Sequence, residues 1–305
     1  SWWVRWWSAW CTPCARCLAA ALQCAWTVGT GREVGVGGAD GHAGRVRVVT
    51  WNVNSIRARQ ARVLAWLERH RPDVALLQET KCTDALFAGE GYTDQYEALG
   101  YQVAHHGHDH WNGVAILSRV GLDDVVRGFP GVNRPPYDEA RVISAICGGV
   151  RVWSIYAPNG RGLDDPHYLF KLVWLERLRA AVAADGSSAP HLVTGDFNVA
   201  PADLDVYDPV RWRRRTHASP PERAAVAAFG DLGLIDVTRV HLPEAGVYTW
   251  WSYRPGQFEA NRGLRIDLMW CDAGLAERVS RVWIDRDERA GAVASDHATV
   301  VVDPR

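Results

Sequence analysis

An α/β sandwich, in which two mixed, mostly antiparallel sheets carry helices on their outer faces, is the fold class this sequence predicts. Two observations carry that expectation. From Arg45 onward, short β-prone runs alternate with segments of helical period, several of them amphipathic. Polar residues also recur at strand termini: Asn52, Glu79, Tyr156 and Asp196 where strands end, and Asp267, Asp296 and His297 where strands begin. Antiparallel neighbours bring these two kinds of position to the same rim, so the site is expected at one edge of the sandwich.

Each element has its own local reason. RVRVVTW (45–51) reads as a strand that reaches Asn52. A helix with Val63, Leu64 and Leu67 follows and ends before Pro72, because the residue preceding a proline disfavours α geometry. Residues 73–78 then deliver Glu79. GVAILS (113–118), RVISAIC (141–147) and VRVWSIY (150–156) read as further strands, the last delivering Tyr156. Asp165 caps a long helix with Pro166 at its first position, and Tyr168, Leu172, Leu175, Leu178 and Val182 form its expected buried stripe. His191–Thr194 is a short apolar run after Pro190, and Gly195 lets the backbone turn sharply into Asp196-Phe197-Asn198. Ser219-Pro-Pro-Glu222 is a capping box that starts a helix ending near Phe229 and Gly230. Arg265-Ile266-Asp267 and Ser295-Asp296-His297 open the last two strands.

The chain has 305 residues and a formal net charge of -1, which excludes a globally basic nucleic-acid binder and requires any anionic partner to meet a local patch. Almost all positive charge is arginine, the better bidentate phosphate partner, since Lys81 and Lys171 are the only lysines. Layered folds of ~250 residues form single domains, so residues 45–305 are expected to be one catalytic domain. Residues 1–44 differ in kind, with SWWVRWWSAW, four cysteines at 11, 14, 17 and 24, and a glycine-rich linker. Cys11-x2-Cys14-x2-Cys17 has the spacing of metal ligands, but neither a second CxxC pair nor a histidine at finger spacing closes it. This stretch is expected to be a disordered extension or an artefact of the gene model. Cys82, Cys147 and Cys271 are scattered, which suits a reducing, cytoplasmic setting, and no run of ~18 apolar residues marks a membrane span.

Glu79, Asp196 and Asp296 with the oxygens of Asn52 and Asn198 are hard donors without a thiol among them, and His297 stands at the edge of the set. That chemistry suits Mg²⁺, with Mn²⁺ as a substitute, and disfavours zinc. An acidic cluster repels a bare phosphodiester unless metal, Arg and His offset the charge, a combination that points to metal-assisted phosphoryl transfer to water. Asp196 could orient or deprotonate that water. His297, held in one tautomer by Asp267, could stabilise charge on the phosphate, and Tyr156 could donate to the same oxygens.

TWNVNSIRAR (50–59), LLQETK (76–81), YAPNGRG (156–162), GDFNVAP (195–201), RGLRIDLMW (262–270) and SDHATV (295–300) together resemble the exonuclease III family of abasic-site endonucleases, in the endonuclease/exonuclease/phosphatase superfamily. The resemblance runs from about Arg45 to Asp303. It implies a four-layered, deoxyribonuclease-I-like α/β sandwich and a Mg²⁺-dependent monomer that cuts double-stranded DNA 5′ to abasic sites, with 3′→5′ exonuclease and 3′-phosphodiesterase activity at blocked 3′ ends. It assigns Glu79, with Asn52 and Asn54 nearby, to the metal, Asp196 and Asn198 to the nucleophile, and Tyr156 with the Asp267-His297 pair to the phosphate. Asp296 neighbours the metal, Asn159 and Arg161 hold the DNA backbone, and Trp250 lines a pocket for a base-less sugar.

The shared superfamily core also serves phosphatases of lipid and small-molecule phosphates. Two stretches favour DNA: Arg211-Trp-Arg-Arg-Arg215, able to dock several phosphates, and the aromatic cluster Tyr248 to Tyr253, in which Trp251 reads equally as core. A catalytically dead DNA-binding module would need a lost ligand, and none is lost. The histidines at 105, 106, 108 and 110 are expected to be structural or solvent-facing, because no carboxylate or cysteine partner stands at metal-site spacing.

Overall fold

The computed structural model describes residues 46–129 and 139–305. Two parallel strand pairs, one in each sheet, decide where the site lies. β1 (Val48–Asn52) and β2 (Val74–Gln78) run side by side with Asn52 opposite Gln78, and α1 (Ile56–His70) makes the crossover that a parallel pair requires. After α2 (Asp84–Gly89) and α3 (Tyr92–Ala98) come β3 (Gln102–His106) and β4 (Val114–Ser118); β4 adds antiparallel to β2, and β3 antiparallel to β4. The second sheet begins with the meander β5 (Asp123–Arg127), β6 (Val142–Cys147) and β7 (Val150–Tyr156). α4 (Pro166–Ala184) then crosses to β8 (His191–Asp196), parallel to β7 with Tyr156 opposite Asp196. α5 (Pro209–Trp212), α6 (Pro220–Ala227), β9 (Leu234–Asp236), α7 (Val237–His241), β10 (Asp267–Asp272), α8 (Ala273–Ala276), β11 (Val279–Asp285) and β12 (Thr299–Pro304) complete the chain. The strand orders are β11-β12-β1-β2-β4-β3 and β5-β6-β7-β8-β10-β9.

Parallel neighbours end on the same rim, so β1 and β2 deliver Asn52 and Glu79 together, as β7 and β8 deliver Tyr156 and Asp196. Antiparallel partners complete the rim as expected: Asp267 faces Asp196 across β10 and β8, and His297 stands just before β12, which runs antiparallel to β1. The two-residue period of the strands splits the core into layers. Val48, Leu76, Ile116, Val152, Met269 and Val300 fill the space between the sheets. Val49, Trp51, Leu77 and Ala115 face α1 to α3, and Trp153, Val193 and Leu268 face α4 and α6.

α1 stops where the sequence said it must. Arg71 takes a left-handed conformation, its N–H closing on Leu67 O, and Pro72 prevents continuation. α4 starts as expected, with Asp165 Oδ1 accepting from His167 N at 2.8 Å. Its buried face differs from expectation, because Leu172 is only half-buried while Trp174 and Lys171 are buried. Lys171 Nζ lies 2.5 Å from Glu222 Oε1 and donates to Asn198 O at 2.7 Å. Burial lowers the lysine pKa against the attraction of Glu222. Glu222 also accepts from Ser219 N at 3.0 Å, which forms the expected capping box of α6.

The Trp/Cys-rich stretch, and its Cys11-Cys14-Cys17 spacing, lie outside the described residues. Cys82, Cys147 and Cys271 are free and buried. Among the described residues no helix is long and apolar enough to cross a membrane.

Candidate active site

Gly195 makes the turn that creates the site. Its φ is +142°, and a Cβ there would lie 2.1 Å from Ile155 O on the adjoining parallel strand, which no other residue could tolerate. Beyond it, Asp196 Oδ1 accepts from Asn198 N at 2.8 Å, an Asx turn that aims both side chains at the rim. Glu79 sits in the left-handed region at φ +52°, where its carbonyl accepts from Ser55 N at 2.7 Å. Strained backbone of this kind costs of order 1–3 kcal/mol per residue and persists where the surroundings over-determine it.

Asn52 is the centre of the cluster. It is fully buried, and its Nδ2 donates to Glu79 Oε1 at 2.8 Å and to Asp196 Oδ2 at 2.9 Å, tying a carboxylate from each sheet into one group. Its Oδ1 accepts from Asn54 N at 3.0 Å, which fixes the amide orientation. Asn198 is oriented in the same way: Nδ2 donates to Ala157 O at 2.9 Å and faces Asp196 Oδ2 at 3.3 Å. The sequence counted the oxygens of Asn52 and Asn198 among the cation donors. Here both turn amide NH₂ groups toward the carboxylates, which positions the acids. Glu79, Asp196 and His297 each present a ligand atom within 4.8 Å of the others and could hold a metal ion.

Electrostatics divides that trio. His297 Nδ1 lies 2.9 Å from Asp267 Oδ2, and its Nε2 lies 3.7 Å from Asp196 Oδ2. Burial opposes charge on the ring, but Asp267 and Asp196 outweigh it and push its pKa up to about 10. That charge suits His297 to donate to an anion, beside its place among the three groups that could hold a metal ion. Burial, Asp267 and Glu79 raise the pKa of Asp196 against the pull of His297, which leaves it a basic carboxylate. Burial and the charge of Glu79 hold Tyr156 a phenol, and the Arg141 guanidinium lies 4.8 Å over its ring.

Asp296 belongs to a neighbouring group rather than to the trio. Its Oδ1 accepts from Asn54 Nδ2 at 2.9 Å and its Oδ2 from Trp250 Nε1 at 2.9 Å. Lys81, which donates to Asn54 Oδ1, also pairs with Glu79 Oε2 at 2.8 Å and so connects the two groups. On the other flank, Asn159 Nδ2 lies 3.4 Å from Asn198 Oδ1 and 3.2 Å from His217 Nε2. Asn159 and Arg161 line a cavity of 460 Å³ with Arg214, Arg215 and His217. Arg211 and Trp250 line a second one, of 210 Å³.

Sequence reasoning missed His217, whose Nε2 is 3.1 Å from Asn198 Oδ1 and whose pKa is lowered by burial and then by Lys171. It missed Lys171 as well, because a lysine in a helix reads as solvated. Trp251 proves to be core, fully buried with its Nε1 on Asn261 Oδ1 at 3.1 Å. Of the histidines, His108 and His110 are exposed, but His105 is buried and has the carboxylate partner the sequence did not reveal, Asp84 Oδ1 at 2.7 Å. His105 stacks on Phe87 at 4.1 Å and bonds Thr80 Oγ1 at 2.8 Å, a structural role beside the Glu79 turn.

A carboxylate pair facing a pre-charged imidazole, on the shared rim of a double-sheet sandwich, defines a hydrolase of the nuclease type. The chain belongs to the Endonuclease/Exonuclease/phosphatase family, whose model matches residues 49–297. It is 35% identical to the exodeoxyribonuclease III of Haemophilus influenzae over 268 residues, 84% of this chain and 98% of that protein. It superimposes on the Neisseria 3′ phosphatase NExo bound to a product DNA hairpin with a TM-score of 0.81, at 36% identity over 85% of this chain and 99% of that one. An AP endonuclease from Archaeoglobus fulgidus matches with a TM-score of 0.80, at 33% identity and the same coverage.

Proposed function

We propose that residues 45–305 form a Mg²⁺-dependent DNA repair nuclease, a cytoplasmic monomer that hydrolyses the phosphodiester 5′ to abasic sites in duplex DNA and clears blocked 3′ ends. The observation that carries this reading is the Glu79-Asn52-Asp196 group facing the Asp267-His297 pair. Glu79 and Asp196 are hard oxygen donors whose mutual repulsion a divalent cation relieves, which fits magnesium or manganese. When bound there, the ion would supply positive charge against the substrate phosphate.

The chain's own groups do the rest. Asp196, basic through burial, accepts a proton from a water that Asn198 helps to hold. The water oxygen attacks phosphorus, the bond from phosphorus to the 3′ oxygen breaks, and that oxygen leaves as the 3′ hydroxyl, taking its proton from solvent. His297, kept charged by Asp267, and the Tyr156 phenol donate to the phosphate oxygens on which negative charge grows. Asn159, Arg161 and Arg211 hold the DNA backbone, and Trp250 stands at the sugar.

A second reading, in which 3′-end processing is the main activity, is favoured by the Neisseria relative, described as a 3′ phosphatase, which superimposes as well as the AP endonuclease does. One gel separates the two. Duplexes carrying an internal tetrahydrofuran site, a 3′ phosphate or no lesion are incubated with Mg²⁺ or with EDTA. Cleavage at the tetrahydrofuran site supports the first reading, and release of the 3′ phosphate alone supports the second. Undiminished cleavage in EDTA sinks both.

A further inference from the structure

Every polar group of Asn54 is engaged, and three of its four bonds lead to the carboxylates of the rim. Its N–H fixes the Asn52 amide that ties Glu79 to Asp196, its Oδ1 accepts from Lys81, the partner of Glu79, and its Nδ2 donates to Asp296. The turn that allows this is a costly one. Asn54 and Ser55 have φ of +44° and +89°, a left-handed pair without glycine, and such backbone persists where its surroundings impose it. Ser55 opens α1 without a side-chain hydrogen bond, so an N-cap does not hold the turn.

The fourth bond does. Arg59 reaches back from the start of α1, and its Nη1 donates to Asn54 O. The rest of its fork is fixed from two other parts of the chain. Nε donates to Val293 O at 3.2 Å, and Nη2 to Ala294 O at 3.3 Å and to Tyr253 Oη at 2.9 Å; the tyrosine in turn donates to Ala294 O at 3.0 Å. Val293 has φ +60°, an outlier for a β-branched residue, and the chain runs on from Ala294 to Ser295, whose Oγ donates to Asn52 O at 2.7 Å. A planar guanidinium with five N–H donors can lock three segments in one relation, which a compact ammonium cannot. Arg62 provides the comparison. It donates to Glu288 O, Ala290 O and Ala292 O at 3.0, 3.2 and 3.3 Å, gripping the same loop through bonds that do not include Asn54.

We infer that Arg59 is a positioning residue for the cation site: by holding the Asn54 turn against the carbonyls of Val293 and Ala294, it sets the Asn52 amide and through it the spacing of Glu79 and Asp196. The inference rests on the metal-dependent reading above and extends it from the carboxylates to the turn behind them.

Titration calorimetry with Mn²⁺ in the absence of DNA tests it on Arg59→Lys, Arg59→Ala and Arg62→Ala. Arg59→Lys keeps the charge and loses the fork. Both Arg59 variants should bind Mn²⁺ about tenfold or more weakly than the wild type, the order expected when a group that orients a ligand is lost. Cleavage at limiting Mn²⁺ should fall with the affinity. Arg62→Ala should lower the melting temperature and keep the wild-type affinity, because it loosens the loop but leaves the Asn54 turn in place. If Arg59→Ala is unfolded at the temperature of the titration, Arg59→Lys decides. Wild-type affinity in Arg59→Lys, or a loss in Arg62→Ala equal to that in the Arg59 variants, overturns the inference. A wild type that binds Mn²⁺ but cuts neither lesion-bearing duplex refutes the nuclease reading, and the same titrations still decide the role of Arg59. A wild type that binds no Mn²⁺ overturns both.

Discussion

At the scale of single residues, the site works by giving similar groups different partners. Asp196 and Asp267 face each other across β8 and β10, yet only Asp267 meets His297 at bonding distance. Glu79→Gln should keep the fold and most DNA binding, because the amide preserves shape. It should lower Mg²⁺-supported cleavage by on the order of 10² or more, since a charged oxygen donor is lost. Near-native turnover at millimolar Mg²⁺ would disprove the assignment. The pH dependence follows from His297. Its folded pKa, about 10, is raised, so the charged ring is present below that value and is lost as pH rises through it. Asp267→Asn removes the strongest raising influence, and the alkaline limb of kcat should move toward neutral pH. An alkaline limb that stays in place in the variant would remove His297 from the chemistry.

At the scale of elements, the sequence showed those that are buried on both faces or carry caps. β1, β2, β4, β6, β7 and β8 are near-continuous buried runs, and α1, α4 and α6 have the punctuation that starts or stops a helix. The edge strand β5 is half-exposed and reads DDVVR, β3 ends in two histidines, and β9 has three residues, so sheet pairing rather than local pattern makes them strands. The site showed the same division. Its acids were legible at strand ends, but the orientation of Asn52 and Asn198 depends on Asn54 N and Ala157 O, which no spacing reveals. Lys171 joins α4 to α6 beneath Asn198 and yields a stability prediction. Glu222→Gln leaves a buried ammonium with a weaker partner and should cost roughly 3–5 kcal/mol, whereas the K171M/E222L pair should recover much of that loss. The Glu222 pKa is lowered by Lys171 against the cost of burial, so its contribution is present above the ordinary glutamate range and is lost as pH falls through its folded value. Denaturant melts across the acid range should therefore show a steeper loss in the wild type than in K171M/E222L. Identical acid profiles would contradict the paired state.

At the scale of the whole molecule, two βαβ crossovers, one per sheet, place four strand ends on one rim, and antiparallel β10 and β12 return Asp267 and His297 to it. Every residue assigned to the chemistry therefore comes from elements between β1 and β12. The family model starts at residue 49, and 84–85% of this chain suffices to cover 98–99% of its relatives. Both observations support our proposal that the catalytic unit is residues 45–305, in keeping with the change in composition at the glycine-rich stretch before Arg45. Deleting residues 1–44 should then leave kcat/KM on a tetrahydrofuran or 3′-phosphate duplex, and the melting temperature, within error of the full chain. The cysteines at 11, 14 and 17 make the opposite outcome chemically specific. If they hold a structural metal, the full chain purified without chelator should contain zinc or iron by elemental analysis, and truncation should remove the metal together with activity or several degrees of thermal stability. Joint loss of this kind would make the first 44 residues part of the enzyme, whereas metal content without a change in activity would leave the catalytic unit where the sheets place it.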